Sequence, residues 1–285
     1  MERHGWLTGP GWERIRDLLP PRSGRGGRWS DHRTVIDAVV WKYRTGAPWR
    51  DLPDAFGPWQ TVYNRFRRWT RDGTWHTIWK ALQARADAAG EIDWMVSVDS
   101  TTVRAHQHAA GARTRQAVTD EPGDHALGRS RGGLTTKVHL VADGRCRPLA
   151  VLLSAGQRND ALFFEAVMAR VRVPRTGPGR PRTRPDQVSA DRAYSSRAIR
   201  THLRARGIRA LIPEPSDQVA NRKRRGRAGG RPPAFDSEDY KIRNTVERCI
   251  ARLKQWRGIA MRTDKLAVHY EAALTVAAIA IWATT

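Results

Sequence analysis

The sequence is short of acids. It holds 28 Asp and Glu against 51 Lys and Arg, a formal net charge of +23. It is also short of cysteine, with Cys146 and Cys249 its only two. Two thiols cannot build a disulfide framework or a four-thiolate zinc site, and they read as reduced cytosolic residues. No apolar run approaches the roughly 18 residues of a membrane span, so no membrane partner is expected. The longest run, Ala272 to Trp282, reads as a buried core helix. The opening Met1-Glu2-Arg3-His4-Gly5 has no apolar stretch of the secretory type, and a cytoplasmic location is expected.

What is present is a chain of 285 residues, 40% hydrophobic, with 12 Trp. That is ample for a real core and too apolar for a disordered basic tail. The excess of cations points to a polyanion, because each phosphate contact by Lys or Arg releases counterions. Arg dominates over Lys, which suits bidentate phosphate binding. A GC-rich genome would also favour Arg, but it would not set cations above anions.

The first 90 residues read as helical. A short amphipathic segment, Trp12 to Leu19, ends at Pro20-Pro21, and a Gly/Arg loop follows from Ser23 to Arg28. Ser30 or Asp31 can cap a helix from Asp31 to Thr45, which Gly46 stops. A third helix starts with Pro58 at its first position and runs to about Thr70. Trp59, Val62, Tyr63, Phe66 and Trp69 share one face, with Asn64, Arg65, Arg67, Arg68 and Arg71 on the other. A fourth runs from about Thr74 to Ala89. The set resembles a helix-turn-helix with an Arg-studded second helix, which predicts DNA binding by Arg65, Arg67, Arg68 and Arg71.

From Asp93 the pattern turns to strands. Met95 to Asp99, Leu134 to Ala142, Arg147 to Ser154, Gln187 to Ala190 and Arg209 to Ile212 read as five, with Asp143-Gly144 a hairpin signal. Helices are expected over Asp160 to Val171 and Ser195 to Arg206, and a long one from about Ser237 to Gln255. A polybasic stretch, Asn221 to Arg231, precedes the long helix. This order makes a mixed α/β sheet of the ribonuclease-H-like type, preceded by an all-α domain. The division is 1–90 and 91–285, with a basic insertion at about 216–238.

Three acids stand out: Asp99 ending the first strand, Asp191 ending the fourth, and Glu247 in the long helix. Strand ends are where sites form in α/β sheets. Acids from distant positions on a basic protein point to metal-assisted phosphoryl chemistry with two hard divalent ions, magnesium or manganese. On a continuous helix Tyr240, Arg243, Glu247 and Lys254 fall at about 0°, −60°, −20° and −40°. That stripe has one carboxylate among groups that grip phosphate.

Here the chain resembles the bacterial insertion-sequence transposases of the DDE type, in insertion-sequence families four and five. Tyr240-x2-Arg243-x3-Glu247-x6-Lys254 is similar to their Tyr-Arg-Glu-Lys signature, without a gap. Val98-Asp99-Ser100-Thr101 and Ala190-Asp191-Arg192-Ala193-Tyr194 are similar to the contexts of their catalytic Asp pair. Gly128 to His139 resembles their Gly-rich link, and Trp41, Pro48 to Pro53 and Trp59-x3-Tyr63 their helical domain. The resemblance runs from about Leu7 to Trp282. It implies that Asp99, Asp191 and Glu247 ligate two magnesium ions for strand cleavage and strand transfer. It implies double-stranded DNA as partner, both terminal inverted repeats and target, with a homodimer in the complex near the nucleoid. An inactive DNA-binding relative and a nuclease that only hydrolyses are the alternatives.

Other residues carry weaker readings. His106 and His108 read as a surface loop. His139 reads as a core or site-edge histidine. Arg129 to Gly133 reads as a flexible active-site loop, since it lacks the Gly-Lys-Ser/Thr ending that a nucleotide cofactor would need. Arg222, Lys223, Arg224 and Arg225 are expected to hold DNA backbone beside the site. Trp256 could be core or a wedge between bases.

Overall fold

Helix α1 (Gly9–Glu13) and a 3-10 turn at Arg16–Leu18 replace the single segment expected there. The computed structural model describes residues 9–21, 30–111 and 120–285, so Leu7 and the Ser23 to Arg28 loop lie outside them. Helix α2 spans His32–Thr45. Asp31 Oδ2 accepts the Thr34 N–H at 3.1 Å at its start. Gly46 closes it at φ 73, a left-handed cap that a side chain would disfavour. Helix α3 is Trp59–Arg71, with Pro58 just outside as N-cap, and α4 is Thr74–Ala88.

Strand β1 (Met95–Ala105) is much longer than expected. Its second half, Thr101 to Arg104, pairs antiparallel with the next long strand, so β-branched residues carry it past Asp99. Asp99 therefore lies mid-strand, not at a strand end. Helix α5 (Gln107–Ala110) follows, capped by His106, whose Nδ1 accepts the His108 N–H. Strands β2 (Gly128–Ser130) and β3 (Gly133–Ala142) form a tight hairpin. The expected flexible loop at Arg129 to Gly133 is thus a two-residue hairpin turn, Arg131-Gly132, between paired strand residues, with Gly133 at φ 98 where β3 begins.

Strand β4 (Pro148–Ala155) returns beside β3 through a five-residue loop, 143–147, with Cys146 at φ 61. That loop is fixed by Arg147, which donates to Asp143 Oδ2 at 2.7 and 2.8 Å, both side chains being buried. A 3-10 turn at Asp160–Phe163 leads into α6 (Phe164–Ala169), where one continuous helix was expected. Then come β5 (Gln187–Ala190), α7 (Arg197–Ala205), β6 (Arg209–Leu211) and α8 (Ser216–Arg224).

The expected long helix is broken. It divides into α9 (Ser237–Tyr240), a 3-10 turn at Lys241–Arg243 and α10 (Asn244–Lys254). Ser97 Oγ donates to the Ile242 carbonyl at 3.2 Å and accepts from Thr245 Oγ1 at 3.2 Å, which pins the turn to β1. The angular stripe from Tyr240 to Glu247 does not carry through this overwound turn. Helix α11 (Arg257–Ala260), β7 (Met261–Arg262) and α12 (Ala267–Thr284) complete the chain.

The sheet runs β2-β3-β1-β5-β6, with β4 also on β3 and β7 on the far end of β1. Strand β1 is central, antiparallel to β3 and parallel to β5. Helix α10 covers the face carrying Ser97, Thr101 and Val103, while Phe164 and Tyr194 lie buried in the same continuous core. Helix α12 is long and apolar enough to cross a membrane, yet it is mostly buried in the core. Ile15, Ile36, Val40, Trp75 and Ile78 of the N-terminal helices meet Val276 and Ile279 of α12. Glu121 caps α12 by accepting the Ala267 and Val268 N–H groups at 2.8 and 3.0 Å.

Phe66 joins the two halves. Its ring lies 5.5 Å from Tyr43, 5.4 Å from Trp49 and 6.1 Å from His269 of α12. Phe66→Ala should cost about 3–5 kcal/mol. Because the core is continuous, denaturant unfolding of the variant should still be one transition by Trp fluorescence and circular dichroism. Two separated transitions would show that the N-terminal helices fold apart from the sheet.

Candidate active site

The register of two strands creates the site. Val98 of β1 and Ala190 of β5 are parallel partners, so the next residues, Asp99 and Asp191, stand side by side. Asp191 leaves the strand with extended backbone and caps the following 3-10 turn, its Oδ1 accepting the Ala193 N–H at 2.9 Å. Asp99 Oδ1 accepts the Ser100 N–H at 2.7 Å. Glu247 sits in the first turn of α10, on the side that faces Asp99.

Arg243 joins the second acid pair. Its Nη1 donates to Glu247 Oε1 at 2.6 Å and its Nη2 to Asp99 Oδ2 at 3.3 Å. The guanidinium thus lies between two of the three carboxylates. Its Nε is buried without a partner. Burial pushes the Asp99 carboxyl up, Arg243 and the Ser100 amide pull it down, and the charges of Asp191 and Glu247 push it up again; the net direction is upward. Among the described residues, no three of His, Cys, Asp and Glu stand close enough to share a metal ion. The donor set nonetheless fits a hard divalent cation: three carboxylates, two of them already sharing one positive charge.

The remaining phosphate-gripping candidates are spread around this centre. Tyr240 is half-buried against Phe235, with ring centres 5.2 Å apart, and its hydroxyl is pushed up by burial and by Asp191 and Glu247. Lys254 is exposed one helix length away and donates to the Thr102 carbonyl at 3.4 Å. Arg222 is tied to Glu214 at 2.8 Å and Arg224 to Asn221 at 2.6 Å, while Lys223 and Arg225 are exposed. Tyr194 was not singled out by sequence reasoning for any role. It is buried near both aspartates; burial first, and then the charges of Asp160, Asp99 and Asp191, push its hydroxyl up, while the Ser100 side chain pulls it down. Its position three residues after Asp191 was the available signal.

Several readings change. Arg65 is buried at 8% exposure, not on the solvent face. It lies three residues after Val62, at the edge of the apolar stripe, where it covers Trp69 and meets His32 Nδ1 at 3.1 Å. Arg67, Arg68 and Arg71 are exposed. With Asn64, they line a groove of about 780 Å³ between α3, the start of α4 and the first turns of α12, far in sequence from the carboxylates. His139 is a core residue, hydrogen-bonded to Ser154 at 2.8 Å and stacked on Phe163. Burial pushes it down to about 4. Trp256 is core, 4% exposed. Cys146 and Cys249 are both buried free thiols.

Two aspartates on adjacent strands of a ribonuclease-H-like sheet, with a glutamate on a facing helix, are a donor set of the kind that metal-assisted phosphoryl transfer uses. Comparison with known proteins makes the class specific. Residues 92–282 match the family described as "Transposase DDE domain", and residues 7–79 that described as "Putative transposase of IS4/5 family". The chain belongs to the DDE transposases of insertion sequences.

Two relatives extend this. The "Putative transposase for insertion sequence element IS402" of Burkholderia cepacia is 32% identical over 145 residues, covering 51% of this chain and 60% of that protein. The "Uncharacterized protein y4sN" of Sinorhizobium fredii is 42% identical over 103 residues, covering 36% of this chain and 78% of that protein. A solved Mos1 strand transfer complex aligns over 87% of this chain and 84% of that chain. Its identity is 13% and its TM-score 0.27, too low to bear on the site.

The raised Asp99 carboxyl has a consequence for stability. A group that prefers its proton in the folded state weakens the fold wherever it is ionised, above its folded value. Asp99→Asn should therefore be more stable than the wild type at pH 7 in urea unfolding. The gain should shrink as pH falls into and below the ordinary carboxylate range. Equal stability at both pH values would mean that Asp99 carries no such cost.

Proposed function

We propose that the chain cuts DNA at the ends of its own insertion element and joins those ends to target DNA. The reading is supported above all by one observation: residues far apart in sequence are brought together, Asp99 beside Asp191 by the β1–β5 register and Asp99 and Glu247 on the single guanidinium of Arg243. Asp99 and Asp191 hold two divalent ions, magnesium or manganese, from the strands, and Glu247 holds them from α10. When bound, such ions lower the pKa of water and neutralise charge on the phosphodiester. Arg243 grips a phosphate oxygen pair and Lys254 acts as a point charge on another. Tyr240 hydrogen-bonds to the backbone or stacks beside it.

Two in-line displacements follow. Water attacks the phosphodiester at the element end, forming one P–O bond, breaking another and freeing a 3′-hydroxyl. That hydroxyl attacks a target phosphodiester, and the target's own 3′ oxygen leaves. Neither step needs a covalent enzyme intermediate. Residues 91–285 carry this chemistry. Residues 1–90 bind the terminal inverted repeats through Arg67, Arg68 and Arg71, which line the α3 groove. Lys223 and Arg225 meet backbone at the basic insertion. Two ends cut together need two copies, so the DNA complex is a homodimer, working on the nucleoid in the bacterial cytoplasm.

Asp191→Asn should lower strand cleavage by about a thousandfold or more, while gel-shift affinity for the terminal repeats stays near wild type. Cleavage that survives the change would remove Asp191 from the site. Precut ends incubated with magnesium should yield joined product, whereas nicked ends without joining would favour a nuclease. Replacing Arg67, Arg68 and Arg71 with Gln should weaken DNA binding at all sequences and lower the salt slope by about one per lost phosphate contact. An unchanged slope would place the DNA elsewhere.

A further inference from the structure

Arg243 is in an odd place for a residue that grips DNA. Both of its terminal nitrogens are spent on the acids, 2.6 Å to Glu247 and 3.3 Å to Asp99. Its side chain is only 21% exposed, and that of Asp99 18%. The guanidinium fills the space between two carboxylates that a shared ion would need. An arginine cannot leave by losing its proton, so it must move to make room.

We propose that Arg243 closes the carboxylate site to divalent cations until a DNA phosphate draws it away. The inference rests on Asp99, Asp191 and Glu247 being the ion-holding set. Three features of the local structure carry it. First, the buried Nε has no partner where it stands, and this is a costly vacancy. A phosphate gripped side-on by Nε and one Nη fills it. Second, Arg243 ends a 3-10 turn one helical turn before Glu247, so a swing of the side chain alone transfers it from acid to phosphate. Third, the charge balance works in both states. With no DNA, one cation partly offsets three acids. With DNA, the arginine pairs with phosphate, and the acids are left to take divalent ions.

The device orders the reaction. Ions bind weakly to the protein alone and tightly to the protein on DNA, which keeps the hydrolytic centre incomplete away from its substrate. By linkage, ions must tighten DNA binding by the same factor that DNA tightens ion binding.

The test needs no catalysis. The full chain is titrated with Mn²⁺ and the free ion is counted by electron paramagnetic resonance. Without DNA, Arg243→Gln should bind Mn²⁺ more tightly than the wild type, on the order of tenfold, the size of ordinary coupling between sites. Arg243→Lys keeps a cation and should stay near wild type. A Gln variant that is folded by circular dichroism yet binds Mn²⁺ no better than wild type would overturn the proposal. A second measurement avoids variants: a mixed-sequence DNA duplex should tighten Mn²⁺ binding to the wild type by a similar factor, and no change would also overturn it. Adding Asp99→Asn or Glu247→Gln to the Gln variant tests the ion-holding set separately. Mn²⁺ binding that persists there would sink that reading, whatever Arg243 does.

Discussion

A carboxylate in the middle of a central β-strand is expensive, and the structure is arranged around that expense. Asp99 is flanked by paired strands on both sides and covered by α10. Its charge is opposed by burial and by two further acids, and it is supported by one backbone amide and one guanidinium. The parallel register of β1 with β5 places Asp191 beside it. The Ser97 contact to Ile242 breaks the helix entering α10 and so presents Arg243 and Glu247 to it. Shifting either feature by one residue would turn an acid to the wrong face.

The N-terminal helices take part in holding this geometry. They pack on α12, whose Trp282 lies under Arg147 with the cation 4.0 Å from the ring centre. Arg147 in turn fixes the loop that joins β3 to β4. A continuous packed path therefore leads from the α3 groove to the strands of the site.

Much of this was legible in the sequence because it is local. Asp31 and Gly46 bracket α2 by cap chemistry, and the strand of Gln187 to Ala190 is a short apolar run ending in an acid. The three acids stand out in the sequence from their strand and helix contexts together with the Tyr-Arg-Glu-Lys spacing, although Asp99 proves to lie mid-strand. What was misread depends on tertiary contact. Nothing within residues 237–255 announces a break, because the cause is Ser97, far away in the chain. Strand β1 was cut short at Asp99 because Ser100 to Thr102 read as polar, and only the partner strand makes them β. Arg65 was assigned to solvent by its charge, although its angle on α3 already put it at the edge of the apolar stripe. The net charge of +23 is likewise not one surface: Arg147 and Arg262 are buried structural bonds, and Arg243 is set among the acids.

Asp99, Asp191 and Glu247, as one ion-holding centre, should be mapped together by an iron ion bound among them. Fe²⁺ at saturating concentration, with ascorbate and peroxide, cuts a polypeptide beside the place where the ion sits. Three clusters of cuts are expected in one digest: in β1 near Asp99, after β5 near Asp191 and in α10 near Glu247, all suppressed by competing magnesium. Cuts confined to other segments, or to one of the three alone, would contradict it.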